Sequence, residues 1–482
     1  MKAKYLSVTD KKNLKALSQT NNKDEIISIL ESLIYREDFT LQVFWEYRDY
    51  IFAFSDEDLK KNPIIACGRI QLEMCAGKLD NAMRIIELLD KDSEYYTLSL
   101  ITLPNIPFET ILDGVKKIID NNWHPYNFFL TLGRPTVRNG YWDLTKYHDY
   151  IVSNEESLIK VLNVLYPTNA RNIYDMLIAE GMYQRDKCYE ALVKVVGLIP
   201  FLKEKKDFRL LFTSIALETY VLVVNGNATS TEPFMESLGE IFMKNGMGEY
   251  LPNMKALDVW AAMYEGDYKR INKWLQNDAP DENKPFCLFE LFGYMIKIRA
   301  YLIQDKHYKI ADMTATLLPI LESNCRTMDV CELCLLNAMS NYAEGRNNEA
   351  LRYMERVIDL AQKYRYDRLV ADEGKRAYDL LCFYIKEKGN SEYVENLKKL
   401  AKKVMIIHPY YLRTHTLLEV SLTKAEIEVL KLIGDYKSND EISKILGIAV
   451  TTVKKHCQNA YKKLEVKNRY KAVSKAIELG LL

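Results

Sequence analysis

The chain has 482 residues, and 66 lysines and arginines are set against 66 aspartates and glutamates. That length exceeds one hydrophobic core of ordinary size and predicts several units or a repeat array. No apolar run approaches membrane-spanning length, and the polar, lysine-rich start from Met1 to Lys15 leads into no apolar stretch, so neither a membrane protein nor a secretion signal is expected and the cytoplasm is the default location.

Residues 1–59 read as an N-terminal helical segment, and 60–405 as a succession of helical hairpins that forms a sensor or interaction domain. Pro63 starts a helix that ends at Gly77, and Leu79 to Leu89 forms its partner. Further on, a helix–turn–helix unit recurs with its turns marked by Gly226, Gly266, Asp305, Gly345 and Gly389, at gaps of 40, 39, 40 and 44 residues. Leu333 to Tyr342 followed by Glu349 to Ala361 is the clearest pair. One hairpin cannot cover its own apolar face, so hairpins stack, and the pattern predicts an all-α superhelical array with concave and convex sides. In period and turn chemistry this segment resembles tetratricopeptide-like repeats, without the strict aromatic and alanine positions of the standard repeat of about 34 residues. The 33 tyrosines fit repeat cores or, where exposed, a binding groove.

Between Leu100 and Pro167 the regularity lapses, punctuated by Pro104, Pro107, Pro125, Pro135 and Pro167. Within it, Thr131 to Asp143 reads as an ordered loop carrying Arg134, Arg138, Trp142 and Asp143. Two arginines, an indole and a carboxylate in one loop suit an anionic or peptide ligand, and they equally suit bracing of the loop against neighbouring helices. Nine cysteines, an odd number scattered along apolar faces, fit reduced core residues. Cys331 and Cys334, with Cys325 upstream, lack the second pair or nearby histidines of a zinc site, since the nearest histidine, His307, belongs to another helical unit. Neither metal nor cofactor is expected.

Residues 406–420 read as a linker, in which His408-Pro409-Tyr410-Tyr411 ends the repeats because proline stops a helix. The segment 421–482 follows, with 12 basic and 7 acidic residues. Thr423 and Glu426 are spaced as a capping box at the start of a helix carrying Ile427, Leu430 and Ile433. Asp435 to Asn439 forms a turn, and Ser438 or Asn439 caps a second helix with Ile442, Ile445 and Leu446 on one face. Gly447 suits a tight helix–helix turn, and a third helix follows from Thr451 or Thr452. On it Val453, Cys457, Ala460 and Leu464 make a single apolar stripe, while Lys454, Lys455, Gln458 and Lys462 occupy the opposite face. Five lysines and no acid lie between Ile442 and Leu464. Such a face attracts phosphate, although lysines also serve simply to keep an exposed helix solvated. His456 flanks the stripe and reads as a structural histidine.

In order and spacing, Leu422-Thr423, Glu426, Val429-Leu430, Asn439, Glu441-Ile442, Leu446, Thr452-Val453-Lys454, His456, Asn459, Lys463-Leu464, Asn468-Arg469 and Ala472 resemble the LuxR-type helix-turn-helix. The resemblance covers about an eighth of the chain and nearly all of this domain. It implies a four-helix DNA-binding domain whose third helix reads the major groove and whose fourth often supports dimers. Matched position by position, it implies that Lys454, Lys455 and Gln458 face base edges and that Thr452 and Asn459 position phosphates; with Thr451, Lys462 and Lys463 of the same helix they make the expected DNA-binding set. Ala449 stands where the family usually has a capping serine, Tyr436 where it commonly has glycine, and Cys457 where it prefers a larger apolar residue. Helical repeats ahead of such a domain resemble MalT-like regulators. The phosphate loop that precedes the repeats in large MalT-like regulators would read Gly-x-x-x-x-Gly-Lys-Ser/Thr, and neither Gly77-Lys78 nor Gly374-Lys375 has that frame.

No convergent catalytic pattern occurs, the six histidines being dispersed, so an enzyme is not expected. The reading is a transcription regulator: double-stranded DNA is the partner of the tail, a small-molecule or protein effector that of the body, and a homodimer forms through the last helix around Ala472, Ala476 and Ile477. The alternative is an interaction scaffold that uses the concave face of the repeats, with a tail that binds no DNA.

Overall fold

The computed structural model describes residues 6–34, 40–123, 143–166, 169–226, 231–414, 422–464 and 466–478, and no strand occurs among them. Buried apolar side chains form two separate clusters. One runs from Leu6 to Leu412, and the other from Leu422 to Ala476. The N-terminal segment therefore shares one core with the repeats, and so do His408, Tyr411 and Leu412 of the expected linker, all of them buried.

Turn chemistry sets the repeat. Gly226, Gly266, Asp305, Gly345 and Gly389 all have positive φ, from 53° to 92°, and Asp186 at φ 61° extends the series one period upstream. A second series, about half a period out of phase, consists of Lys206, Gly246, Cys325 and Arg365, with φ of 57°, 78°, 51° and 59°. Of these, Lys206 and Arg365 end the helices Cys188–Lys205 and Asn347–Tyr364 in the left-handed conformation, which exposes the last carbonyls to backbone donors further along the chain. One series turns the chain within a hairpin and the other turns it between hairpins.

Each hairpin has an inner and an outer helix. The outer helices Thr231–Lys244, Tyr268–Asn277, His307–Ser323 and Asn347–Tyr364 bury a single stripe. The inner helices Phe208–Val224, Leu251–Glu265, Leu291–Ile303 and Thr327–Ala343 are buried nearly all round, and in Leu291–Ile303 all 13 residues are buried. Helices with apolar residues on most sides must be covered on most sides. Successive inner helices pack on one another, and from Leu251–Glu265 onward each also packs on the outer helix that follows it. The remaining side is covered by chain from far along the sequence: the ring of Tyr411 stacks on that of Tyr264 with centroids 3.8 Å apart, and the Tyr264 hydroxyl donates to the carbonyl of Asp372 at 2.9 Å. The concave face expected from stacking hairpins is thus occupied here by the protein's own chain.

The N-terminal region closes on the same body. Thr40 donates to Glu249 at 3.1 Å, Asn324 Nδ2 donates to the carbonyl of Gly77 at 3.3 Å, and Lys146 donates to the carbonyl of Cys325 at 3.2 Å. Cys331 and Cys334 are fully buried in the helix Thr327–Ala343. Among the described residues no group of histidine, cysteine and carboxylate side chains is placed to hold a metal ion.

Two glycines in equivalent turns separate backbone strain from packing. At Gly77 (φ 74°) an added Cβ would lie 2.3 Å from Ile320 Cγ2, whereas at Gly345 (φ 74°) it would meet nothing within 4 Å. Gly345→Ala is expected to cost only the left-handed backbone, about 1 kcal/mol. Gly77→Ala adds a clash at the closure of the body, for about 3 kcal/mol in total. Urea midpoints of the two variants check this, and equal midpoints would contradict the closure.

Candidate nucleic-acid interface

The tail is built from local signals. Thr423 Oγ1 accepts from the N–H of Glu426 at 3.3 Å while Glu426 Oε2 accepts from the N–H of Thr423 at 2.7 Å, and this capping box opens the helix Lys424–Gly434. Ser438 and Glu441 repeat the device at Asn439–Leu446, with 2.7 and 3.3 Å. Gly447, at φ 64°, ends that second helix in the left-handed region and turns the chain into the third, Val450–Lys463. Ala449 caps the third helix with no side-chain hydrogen bond, as expected of an alanine at this place. The fourth helix, Arg469–Glu478, is tied back by Arg469, which donates to the carbonyl of Lys437 at 2.7 Å.

Val453, Cys457, Ala460 and Leu464 are buried together with Val429, Leu430, Ile433, Ile442, Ala472 and Ala476. Ile445, expected on the buried face of the second helix, is 54% exposed. Tyr436, in place of the usual glycine, holds φ 60° and is 88% exposed, so only its backbone serves the fold.

The buried stripe fixes which way the third helix faces. Thr451, Lys454, Lys455, Gln458, Asn459 and Lys462 are exposed, and Thr452 and His456 are partly so. The helix contains no acidic residue. Lys463 departs from the expected surface: its ammonium pairs with Glu426 Oε2 at 2.7 Å, and the Glu426 side chain is only 3% exposed. Burial pushes that carboxyl up, but hydrogen bonds from Lys463 and Thr423 outweigh it and hold it below its ordinary value of 4.5. Lys463 therefore locks the third helix to the first. On the fourth helix Ala472 and Ala476, expected at a dimer contact, are instead fully buried inside the tail, and its exposed face carries Tyr470, Lys471 and Ser474.

Of the loop residues considered as a ligand site, Arg134, Arg138 and Trp142 lie outside the described residues. Asp143 is buried, and its carboxylate accepts from the hydroxyl and N–H of Thr145 and, at 2.6 Å, from the N–H of Met328. Those bonds commit it to bracing the start of the helix Thr327–Ala343.

Two short helices joined by a glycine turn, the second presenting a cationic face and both held by flanking helices, define a helix-turn-helix. Residues 420–476 match the family of bacterial regulatory proteins of the luxR type, and the C-terminal region of this chain is a LuxR-type helix-turn-helix domain. Similar proteins include the transcriptional activator protein CarR of Pectobacterium carotovorum, 45% identical over 60 residues that make up 12% of this chain and 25% of that protein. The HTH-type transcriptional regulator MalT of Serratia proteamaculans is 47% identical over 58 residues, 12% of this chain and 6% of that protein. MalT of Yersinia pestis matches to the same extent. The matched stretches span a quarter or less of these relatives.

Because Glu426 is buried and charged, Lys463→Ala is expected to destabilise the tail by about 1–2 kcal/mol after allowance for the partly exposed lysine, whereas Lys454→Ala leaves its stability unchanged. The sign with pH follows from the lowered carboxyl: the contribution is present above about pH 4.5 and is lost as pH falls through the folded-state value. Thermal melts of the parent and both variants between pH 3 and 7 check both statements.

Proposed function

We propose that this chain is a DNA-binding transcription regulator whose tail reads double-stranded DNA with the helix Val450–Lys463 in the major groove, under control of the helical body. The observation that carries the reading is the exposed face of Lys454, Lys455, Gln458 and Lys462, opposed by a buried stripe and free of acids along the whole helix. Lysine and glutamine of this reach match the acceptor pattern of guanine and the donor–acceptor pair of adenine. At Ala449 no side chain closes the amino end of the helix, which suits a phosphate oxygen there, with Thr451, Thr452 and Asn459 alongside.

The names of the relatives, a transcriptional activator and transcriptional regulators, support the same reading. A scaffold with an open concave groove has less support, because the inner helices are covered by the later chain. A cytoplasmic location accords with this function. Binding as a homodimer on half-sites about one helical turn apart would use the exposed side of the last helix.

Selection of bound sequences from random duplexes with the full chain tests the proposal, and enrichment of no motif would reject it. On the selected duplex, Lys454→Ala and Gln458→Ala are expected to cost about 1–3 kcal/mol each and to relax the preference at single base pairs. Lys462→Ala is expected to weaken all duplexes alike and to lower the salt slope by about 1.

A further inference from the structure

One helix of the body exposes an apolar face. Cys188–Lys205 buries a single stripe, Ala191, Val195 and Leu202, as the outer helices do. Its other side meets solvent with Tyr189, Val193, Val196 and Phe201, which are between 42% and 75% exposed, and with Pro200. Helical spacing gathers these residues on one face. The outer helix Asn347–Tyr364 shows what such a side carries elsewhere in the body: Glu349, Arg352, Asp359, Gln362 and Lys363. On Thr231–Lys244, which packs through Phe242 on the same inner helix as Cys188–Lys205, Phe234 and Ile241 are exposed as well. Apolar surface gathered in this way marks a protein contact.

Gly197 stands in the middle of the helix and is exposed, and an added Cβ there would meet nothing within 4 Å. Glycine weakens a helix interior, and neither a positive φ nor a neighbour within this chain calls for it at this place. Close approach of a second helix does. The charges on the flank are arranged about the same point. Glu190 and Lys205, both exposed, lie near opposite ends of the helix and about four turns apart, so they share one side of the apolar face. Let two copies of the helix run antiparallel about a two-fold axis at Gly197. Glycine then meets glycine, Val193 comes near Phe201, and each Glu190 falls beside Lys205 of the other copy. The amino end of each helix also lies beside the carboxyl end of the other, where their dipoles attract. A two-fold contact requires a patch to complement itself in this manner, and a partner of another kind would not.

We propose that the exposed face of Cys188–Lys205 is the contact through which two copies of this chain pair, antiparallel across Gly197. The pairing stands on the body alone. Its use, two tails offered to two half-sites, rests on the reading of the tail as a DNA-binding domain. The last helix gives such a pair less apolar surface, because Ala472 and Ala476 are spent inside the tail.

The test is the mass of the full chain in solution without DNA, by sedimentation velocity and light scattering over a range of micromolar concentrations. A dimer is expected, and Val193→Lys combined with Val196→Lys is expected to weaken it by about tenfold or more at unchanged helix content. Gly197→Leu, which favours the helix itself, is expected to weaken the dimer too. Glu190→Lys and Lys205→Glu are each expected to loosen it several-fold, and the chain that carries both to recover, which a merely structural role would not produce. Tyr470→Lys on the last helix is expected to leave the mass unchanged. A parent chain that stays monomeric, a dimer that survives the two lysines, or a dimer lost through Tyr470→Lys instead overturns the contact. Failure of the charge swap to recover overturns the antiparallel register. A dimer that binds no duplex overturns the reading of the tail and leaves the pairing in place, whereas a monomer that binds the selected duplex does the reverse.

Discussion

The body depends on one constraint: its inner helices are buried nearly all round, with apolar residues on most sides, and must be covered by other parts of the chain. A solenoid that covers them only with neighbouring hairpins leaves an inner face bare. This chain meets the need by returning on itself. Residues 366–373 and 408–412 fill the interior, and the N-terminal helices close against the hairpins through Gly77, Ile320 and Asn324. Coverage by distant segments ties the core from Leu6 to Leu412 into one unit, so the strap that precedes the tail belongs to the interior of the body.

Closing the interior also buries charge. Arg299, Glu332, Glu373, Arg368 and Asp372 sit among aromatic rings, and Arg326 pairs with Asp329 at 2.7 Å with both side chains fully buried. Such pairs add little net stability over apolar residues of the same shape, but removal of one partner strands the other at a cost of about 3–5 kcal/mol. They therefore select one closed arrangement. Tyr183 on Asp372, Tyr264 on the carbonyl of Asp372 and Tyr411 on Glu373 extend that selection to three separate stretches of chain.

What the sequence shows depends on how far apart the cooperating residues lie. In the tail, Thr423 with Glu426, Ser438 with Glu441, and the stripe Val453, Cys457, Ala460 and Leu464 all act within a dozen residues, and the helices and the exposed lysine face were readable from spacing alone. Lys463 was not, because its partner Glu426 lies 37 residues earlier and a lysine on the flank of a stripe looks the same whether it faces solvent or a buried acid. In the body, turns made by glycine or Asp305 announced the period. Those made by Lys206, Cys325 and Arg365 did not, since nothing in these residue types signals positive φ. The cluster of Tyr220, Trp260, Tyr264, Glu373 and Tyr411 was hidden for the strongest reason: its members meet only after distant stretches of the body have packed together.

Control of a tail with its own core requires a state of the body that the tail can register, and the two buried clusters share no members. Residues 408–412 are the last buried stretch of the body before the tail in sequence, and the interactions that anchor them set how firmly they are held. A hydrogen bond from tyrosine to a carboxylate contributes about 1.5–3 kcal/mol, and an aromatic stack about 0.5–1.5 kcal/mol. Together these bound the release of Tyr411 at roughly 2–4.5 kcal/mol, a factor of about 30 to 2,000 in an equilibrium. A ligand shifts such an equilibrium only by its differential affinity for the two states.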